Sequence, residues 1–128
     1  MAAKFGTSGL RGLVGELTDG TSSSHARAFA RHLKTAAMAP AGAPVFIGRD
    51  MRASSPLIAA QCAAAVFDEG LEPVDCGVLP TPALALHAVG QGAAALMITG
   101  SHIPDDRNGV KFYRPDGEID KTDEAAIS

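Results

Sequence analysis

Between Ala43 and Ile98 the sequence alternates between two periods, and that alternation leaves few architectures open. Three short strand-like segments, residues 43–48, 72–76 and 94–98, are separated by two alanine-rich stretches whose apolar residues recur at helical spacing. The first stretch opens at Ser54 or Ser55 ahead of Pro56, a proline tolerated in a first helical turn, and carries Ile58, Cys62, Ala65 and Val66 up to Gly70. The second opens at Thr81 or Pro82, carries Leu84, Leu86, His87 and Val89, and stops at residues 90–92. Strands that alternate with helices are joined by crossovers, and crossovers make neighbouring strands parallel. The expectation is therefore an α/β domain of three layers, with a mixed, mostly parallel sheet flanked by helices.

Beyond these boundaries the signals change. Thr21 to Ser24 offer N-cap residues, and Ala26, Phe29, Ala30, Leu33 and Ala37 then recur as one helical stripe that ends before Pro40. His25 and His32 lie on this helix without an acidic or cysteine partner in sequence, which predicts solvated surface histidines rather than metal ligands. After residue 98, a polar turn with Pro104 and Asn108-Gly109 leads into a returning strand at residues 110–114. With Glu118 and Ile119 across Pro115-Asp116-Gly117, that strand predicts an antiparallel hairpin at a sheet edge. Thr122 ahead of Asp123-Glu124-Ala125-Ala126 reads as an N-cap of a last helix.

Chemistry concentrates where the third apolar run stops, at Thr99-Gly100-Ser101-His102. A serine just past a buried strand, after a glycine that lets backbone approach a ligand, has an exposed hydroxyl on a firm base. Taken by itself a Gly-Ser pair in a loop usually only bonds nearby backbone. Here His102 is adjacent, and Lys111 shares one strand face with Tyr113, so a hydroxyl, an imidazole and an ammonium converge. A second candidate is Phe5-Gly6-Thr7-Ser8-Gly9-Leu10-Arg11-Gly12, whose glycines can turn N–H groups to an anion while Arg11 adds a two-pronged donor. It lacks the Walker lysine and the GxGxxG spacing, so read alone it is a glycine-rich entry loop. A third is Arg49-Asp50-Met51-Arg52, delivered to the C-terminal end of a strand, where open α/β sheets bind ligands. Salt bridging of Asp50 with Arg49 or Arg52 is the structural alternative there, and it would also hold an arginine toward an anion.

Composition narrows the classes. At 128 residues one domain is expected, since domains run to roughly 100–200 residues. A net charge of −3 argues against nonspecific nucleic-acid binding, which needs an excess of Lys and Arg. Cys62 and Cys76 lie in apolar segments away from metal-ligand spacing, as reduced core thiols would, which favours a cytoplasmic location. No apolar run approaches the ~20 residues that span a bilayer, and no leader pattern is evident.

Four blocks in this order resemble the α-D-phosphohexomutases, the family of phosphomannomutase, phosphoglucomutase and phosphoglucosamine mutase. They are residues 5–12; residues 48–52 with Ser54-Ser55; Gly77 with Pro80-Thr81-Pro82; and residues 99–102 with Pro104 and residues 108–111. The similarity runs through nearly the whole chain. It implies an enzyme, an intramolecular phosphotransferase, that interconverts hexose 1-phosphate and 6-phosphate through a bisphosphate, with Ser101 as the phosphoserine. A phosphoserine carries about −1.5 to −2 charges, and the resemblance implies that an oxygen of the Ser101 phosphate binds magnesium. It further implies that Lys111 and Arg11 stand near the transferring group as proton-transfer or charge-stabilising residues, and that His102 orients the phosphoserine. Ser8, Arg11, Asn108 and Lys111 are implied as substrate contacts, and Arg49, Asp50 and Arg52 as supports of the loop. Hexose 1,6-bisphosphate is implied as activator. The implied partners are a hexose phosphate and the remaining domains of a longer enzyme, with neither nucleic acid nor membrane.

Two departures qualify the resemblance. Ile103 stands where the family usually has Asn, which removes a loop hydrogen bond but leaves Ser101, His102 and Lys111 in place. The family also builds four domains, and its Asp-Gly-Asp magnesium loop, sugar-reading loop and phosphate clamp have no counterpart here. Residues 1–128 are accordingly expected to be the N-terminal domain I, cut near its C-terminal end and inactive alone. Thr7-Ser8-Gly9-Leu10 leans away from phosphoglucosamine mutase, which usually carries Asp-Gly-Ile there. A hydrolase built on Ser101 and His102 fits poorly, because adjacent residues seldom align imidazole with hydroxyl and the Gly-x-Ser-x-Gly motif is absent. The remaining alternative is a stand-alone phosphosugar-binding or interaction module without catalysis.

Overall fold

In the computed structural model, residues 3–6, 9–100 and 104–128 are described. In chain order they form β1 (Lys4–Gly6), β2 (Gly9–Leu13), α1 (Val14–Thr18), α2 (Thr21–Thr35), β3 (Pro44–Arg49), α3 (Ser55–Asp68), β4 (Glu72–Val78), α4 (Thr81–Gly90), β5 (Ala94–Ile98), β6 (Arg107–Arg114), β7 (Gly117–Glu118) and α5 (Lys121–Ile127). The sheet order is β1-β2-β6-β5-β3-β4, with β7 pairing β6. The expected mixed sheet flanked by helices is what the chain builds. Its parallel part is β5-β3-β4, joined by α3 and α4 as the alternating periods require. Its antiparallel part is formed by β1, β2, β6 and β7, with β6 also running antiparallel to β5.

Handedness explains how the helices divide. The step from β3 to β4 moves outward across the sheet, while the step from β4 to β5 moves back past β3. Right-handed crossovers in opposite directions put their helices on opposite faces. So α3 joins α1, α2 and α5 on one face, and α4 stands alone on the other. The side-chain alternation of the strands serves both faces. Leu96, Ile98, Val110 and Phe112 belong to the larger cluster with Phe29, Leu33 and Ile58, whereas Ala95, Met97 and Tyr113 pack against Leu84 and Ala88 of α4. Fully burying side chains such as Phe29, Leu33 or Ile58 contributes about 1.5–3 kcal/mol each. No helix among the described residues is long and apolar enough to cross a membrane.

The structure departs from the sequence reading in several places. The glycine-rich N-terminal stretch supplies two strands, β1 and β2, because Leu10 is fully buried and pairs with Val110. For the same reason β6 is an interior strand rather than a sheet edge, and it begins at Arg107, so Asn108-Gly109 lies within the ladder opposite Gly12 and Arg11. The helix α2 is entered through Gly20 at φ 113°, with the Asp19 carboxylate accepting from Thr21 N–H and hydroxyl. Ala37 falls beyond its end at φ 58°.

His32 is not solvated. The helix α5 lies on α2, and His32 Nε2 donates to Asp123 Oδ1 at 2.7 Å. Asp123 is buried and also accepts from Arg114 Nη1 at 3.1 Å and from Asp120 N–H at 2.9 Å. Burial alone would raise the Asp123 carboxyl, but these donors outweigh it and hold it well below the usual carboxylate range. The N-cap of α5 is Asp120 rather than Thr122, since Asp120 Oδ1 accepts from Asp123 N–H. His25 is half-buried, its Nδ1–H donating to Thr21 O and its ring tilted against Phe5. Cys62 is buried as expected, while Cys76 is only partly so.

Candidate functional site

The ends of β3 and β5 lie side by side because Arg49 is in register with Ile98, and the chain leaves both strands at the same rim. Asp50 N–H donates to Ile98 O at 2.9 Å, which fixes the Asp50 turn beneath the loop that begins at Thr99. The Asp50 carboxylate is then filled by that loop and by the start of α3. Its Oδ2 accepts from Gly100 N–H at 2.9 Å, and its Oδ1 accepts from Ser55 Oγ at 2.5 Å and Arg52 N–H at 3.1 Å. Thr99 adds a side-chain hydrogen bond. Burial by itself would raise the Asp50 carboxyl; the bonds from Ser55, Gly100, Arg52 and Thr99 more than offset it, so the group is held below the usual range and stays ionised.

Arg52 clamps the far side of the same loop. Its Nη1 donates to Pro104 O at 2.8 Å and to Arg107 O at 3.2 Å, and its Nε lies 3.4 Å from Asp50 Oδ2. The guanidinium rests directly on Gly100, where an added Cβ would sit 2.0 Å from Arg52 Nε. Only glycine admits that approach. Both flanks of the loop are thereby anchored, one through Gly100 and the other through Pro104 and Arg107. Ser101, His102 and Ile103, between those anchors, lie outside the described residues, as does Ser8.

The remaining candidates divide into two groups. Arg11 lies opposite Gly109 in the β2–β6 ladder, and Lys111 follows Gly109 by two positions, so Arg11, Gly109 and Lys111 share the sheet face that carries α4. Thr99 N–H donates to Gly109 O at 3.0 Å, which places these two cations beside the start of the loop. Arg11 is exposed and Lys111 half-buried. Lys111 opens into a cleft of about 450 Å³ whose lining includes Thr81, Ala85, Tyr113 and Glu118. Burial, with Glu118 close by, pushes the Tyr113 phenol up, so it stays protonated. On the other side of the rim, Asp50, Met51, Arg52, Ala53, Ser54 and Asp105 line an open cavity of about 510 Å³.

Asn108 and Arg49 are placed elsewhere. Asn108 is fully buried, its Nδ2 donating to Ser54 Oγ at 2.8 Å and Ser55 Oγ at 2.9 Å while its Oδ1 accepts from Gly109 N–H at 2.8 Å. Its amide is spent on the scaffold. Arg49 Nη1 meets Asp75 on the edge strand at 3.1 Å and makes no described contact with the loop. Sequence reasoning took Ser54 and Ser55 as helix-start residues and as part of a family block; in the structure both hydroxyls accept from Asn108 of β6, and Ser55 also donates to Asp50. The signal available was their position just after the Asp50 turn. Among the described residues no group of three His, Cys, Asp or Glu side chains could hold a metal ion.

The sequence model of the family described as phosphoglucomutase/phosphomannomutase, alpha/beta/alpha domain I, matches residues 2–128. A phosphomannomutase from Sinorhizobium fredii (strain NBRC 101917 / NGR234) is 60% identical over 128 residues, which are 100% of this chain and 27% of that protein. A phosphomannomutase from Salmonella muenchen is 50% identical over 123 residues, 96% of this chain and 25% of that protein. The chain thus spans about a quarter of the length of the curated relatives it matches. Among solved structures, a phosphoglucomutase/phosphomannomutase family protein from Burkholderia thailandensis superposes with a TM-score of 0.82 at 27% identity, covering 96% of this chain and 28% of that one.

Proposed function

This chain belongs to the phosphoglucomutase/phosphomannomutase family as its α/β/α domain I, and on that premise we propose that Ser101 carries the phosphoryl group exchanged with a hexose phosphate. The observation that carries this reading is the anchoring of the loop on either side of Ser101. The Asp50 carboxylate takes the N–H of Gly100, and Arg52 takes the carbonyls of Pro104 and Arg107. A group that must give and then receive a phosphoryl group in line needs fixed backbone, because positioning supplies much of the barrier lowering in such transfers.

The proposed exchange has two balanced steps. The Ser101 O–P bond breaks as a free hydroxyl of the hexose monophosphate bonds to phosphorus, its proton passing to the departing Ser101 oxygen, which gives a hexose bisphosphate and a free Ser101 hydroxyl. The other phosphoryl group then bonds to the Ser101 oxygen as its bond to the sugar oxygen breaks and the hydroxyl proton passes to that sugar oxygen, which gives the isomeric monophosphate. Arg11 and Lys111, on the face beside the loop, stabilise the charge on the equatorial oxygens. Lys111, half-buried, is the better placed of the two to move a proton. His102 orients the Ser101 phosphate, and Ser8 contributes to substrate binding with Arg11.

Magnesium would spread the charge of the transferring group. The described residues hold no carboxylate cluster for it, so the contribution of this chain is the Ser101 phosphate itself. The other ligands, the sugar-reading surface and the distal phosphate clamp are proposed to come from further domains. The substrates are proposed to be mannose or glucose phosphates, since both relatives named above are phosphomannomutases. Hexose 1,6-bisphosphate is the proposed activator and the cytoplasm the proposed location.

The test is intact-mass measurement with phosphosite mapping, before and after incubating the 128-residue chain with glucose 1,6-bisphosphate and magnesium. One phosphate on Ser101, absent in Ser101→Ala, is expected, without completed turnover. Uptake that persists in Ser101→Ala would overturn the assignment, whereas no uptake would place the transfer machinery in the further domains.

A further inference from the structure

The helix α3 is apolar on the side that it shows to water. From Ser55 to Phe67 it carries no charged side chain, whereas α2 beside it presents Arg27 and Arg31 outward. A helix that is apolar all round is normally buried all round. On α3 the inner stripe of Ile58, Cys62, Ala65 and Val66 fills the core, yet Phe67 is 70% and Leu57 54% exposed. Alongside runs a groove of about 270 Å³ between α3 and β4, lined by Ile47, Ala59, Ala63 and Pro73, with the Arg49–Asp75 ion pair toward the start of α3.

The groove follows the sheet edge at β4, but an added strand does not suit it. Pro73 offers no N–H, and the Gly77 N–H is already taken by Asp75 Oδ1 at 2.8 Å. The last helix, α5, does not cover it either, since α5 lies by β1 with Glu124 beside Gly6, at the other end of the sheet. The face is instead its own complement. Pro56, Ala60, Ala63 and Phe67 make one stripe on the groove side of α3, and their spacing of four, three and four residues is that of a seam between two helices. Turned antiparallel about a two-fold axis, the stripe sets Phe67 against Pro56 and Ala60 against Ala63, because both pairs share one midpoint along the helix. Only alanine stands at the centre, so the helix axes can close to about 8 Å. Phe67, about 10 Å from Ala60, then meets the Arg49 end of the opposing groove, where its ring can lie on the guanidinium. Charge agrees with this register: the exposed Asp68 carboxylate at the end of one α3 comes to the positive N-terminal end of the other.

We propose that two copies of this chain pair through α3 as an isologous dimer, Phe67 of each entering the groove between α3 and β4 of the other. The inference is independent of the reading of Ser101. Leu86 of α4 is also exposed, but the cleft beside α4 carries Lys111 and Glu118 and gives an apolar side chain no matching seat.

Sedimentation equilibrium of the 128-residue chain, over concentrations up to roughly 1 mM, reads the association directly. A rise to the mass of two chains is expected and nothing larger, because a two-fold contact closes on itself. Phe67→Ala and Ala60→Glu should each weaken pairing roughly tenfold or more, the scale of an interface anchor, with circular-dichroism spectra like wild type, since both positions are exposed. Leu86→Ala, on the other face, should pair as wild type does. Disulfide formation reads the register: on a Cys76→Ser background, an equal mixture of Ala60→Cys and Ala63→Cys chains should cross-link several-fold faster than either chain alone. A chain that stays monomeric throughout overturns the pairing and leaves the face to a further domain. It is equally overturned by association that survives in Phe67→Ala and Ala60→Glu, by association lost in Leu86→Ala, or by a mixture that cross-links no faster than its components.

Discussion

Replacing Asp50 by Asn tests whether one carboxylate holds the loop around Ser101. The two side chains have the same shape, so packing is conserved and the change is confined to charge and hydrogen bonding. In the native structure Oδ1 accepts from Ser55 Oγ and Arg52 N–H while Oδ2 accepts from Gly100 N–H. Asparagine offers one acceptor oxygen, and its NH₂ must then face a donor on the other side. If the oxygen stays with Ser55 and Arg52, the charge-assisted bond to Gly100 is lost, worth about 1.5–3 kcal/mol, and the other bonds weaken with the charge. A total of about 3 kcal/mol corresponds to a fall in melting temperature of about 10 °C for a chain of this size.

The pH dependence adds a second criterion. The folded carboxyl is held below its ordinary value, so its contribution is complete above the unfolded pKa of about 3.9 and is lost as pH falls through the folded one. Thermal melts followed by circular dichroism should therefore show a constant gap between wild type and Asp50→Asn from neutral pH to about pH 5, closing below about pH 4. Amide exchange at Gly100 should accelerate in the variant at neutral pH. A melting-temperature fall of less than about 3 °C, or a gap unchanged in acid, would refute the argument that Asp50 restrains the loop as an ionised acceptor.

Gly9→Ala should cost roughly 3 kcal/mol or more, read from the denaturant midpoint, because φ is +104° there and the new Cβ would meet Val110 O at 2.4 Å, backbone that cannot yield; a midpoint near wild type would show that β2 and β6 can shift apart freely. Thiol titration should find Cys76 reactive and Cys62 silent in the native state and both reactive in denaturant, because burial pushes the Cys62 thiol up to about 12 and removes it from solvent. Equal native rates for the two would contradict that burial.

What the sequence disclosed follows from what local periodicity can carry. The strands β3, β4 and β5 and the helices α3 and α4 were legible because their apolar periods and their proline and glycine boundaries are local. The hairpin of β1 and β2 was not, since Gly9-Leu10-Arg11-Gly12 has too few apolar positions to show a period of two. It becomes strand only because β6 offers an unpaired edge. The burial of His32 was hidden for a similar reason: its partner, Asp123, lies 91 residues away. At the site, Asp50 and Arg52 were legible as a charged turn at a strand end, but the use of Asn108 was not. An Asn-Gly pair beside a polar loop signals a turn, and only its bonds to the hydroxyls of half-buried Ser54 and buried Ser55 show that its amide is a clamp within a strand.

That clamp bears on how stability and chemistry are joined in β6. Along this strand Val110 and Phe112 face the large core, while Gly109, Lys111 and Tyr113 face the other side. A slip of one residue would turn Lys111 into the core and Val110 toward the rim, because strand side chains alternate with a period of two. Register is fixed at three places: by Gly9, whose conformation admits close passage of Val110 O; by Thr99 N–H on Gly109 O; and by Asn108 on Ser54 and Ser55. Burying an unpaired ammonium costs several kcal/mol, so the slipped sheet is excluded by the core as well as by these bonds. The apolar positions of β6 thus determine where its cation stands. Substitutions that loosen the core beneath Val110 and Phe112 should disturb the Lys111 side of the sheet before they unfold the domain.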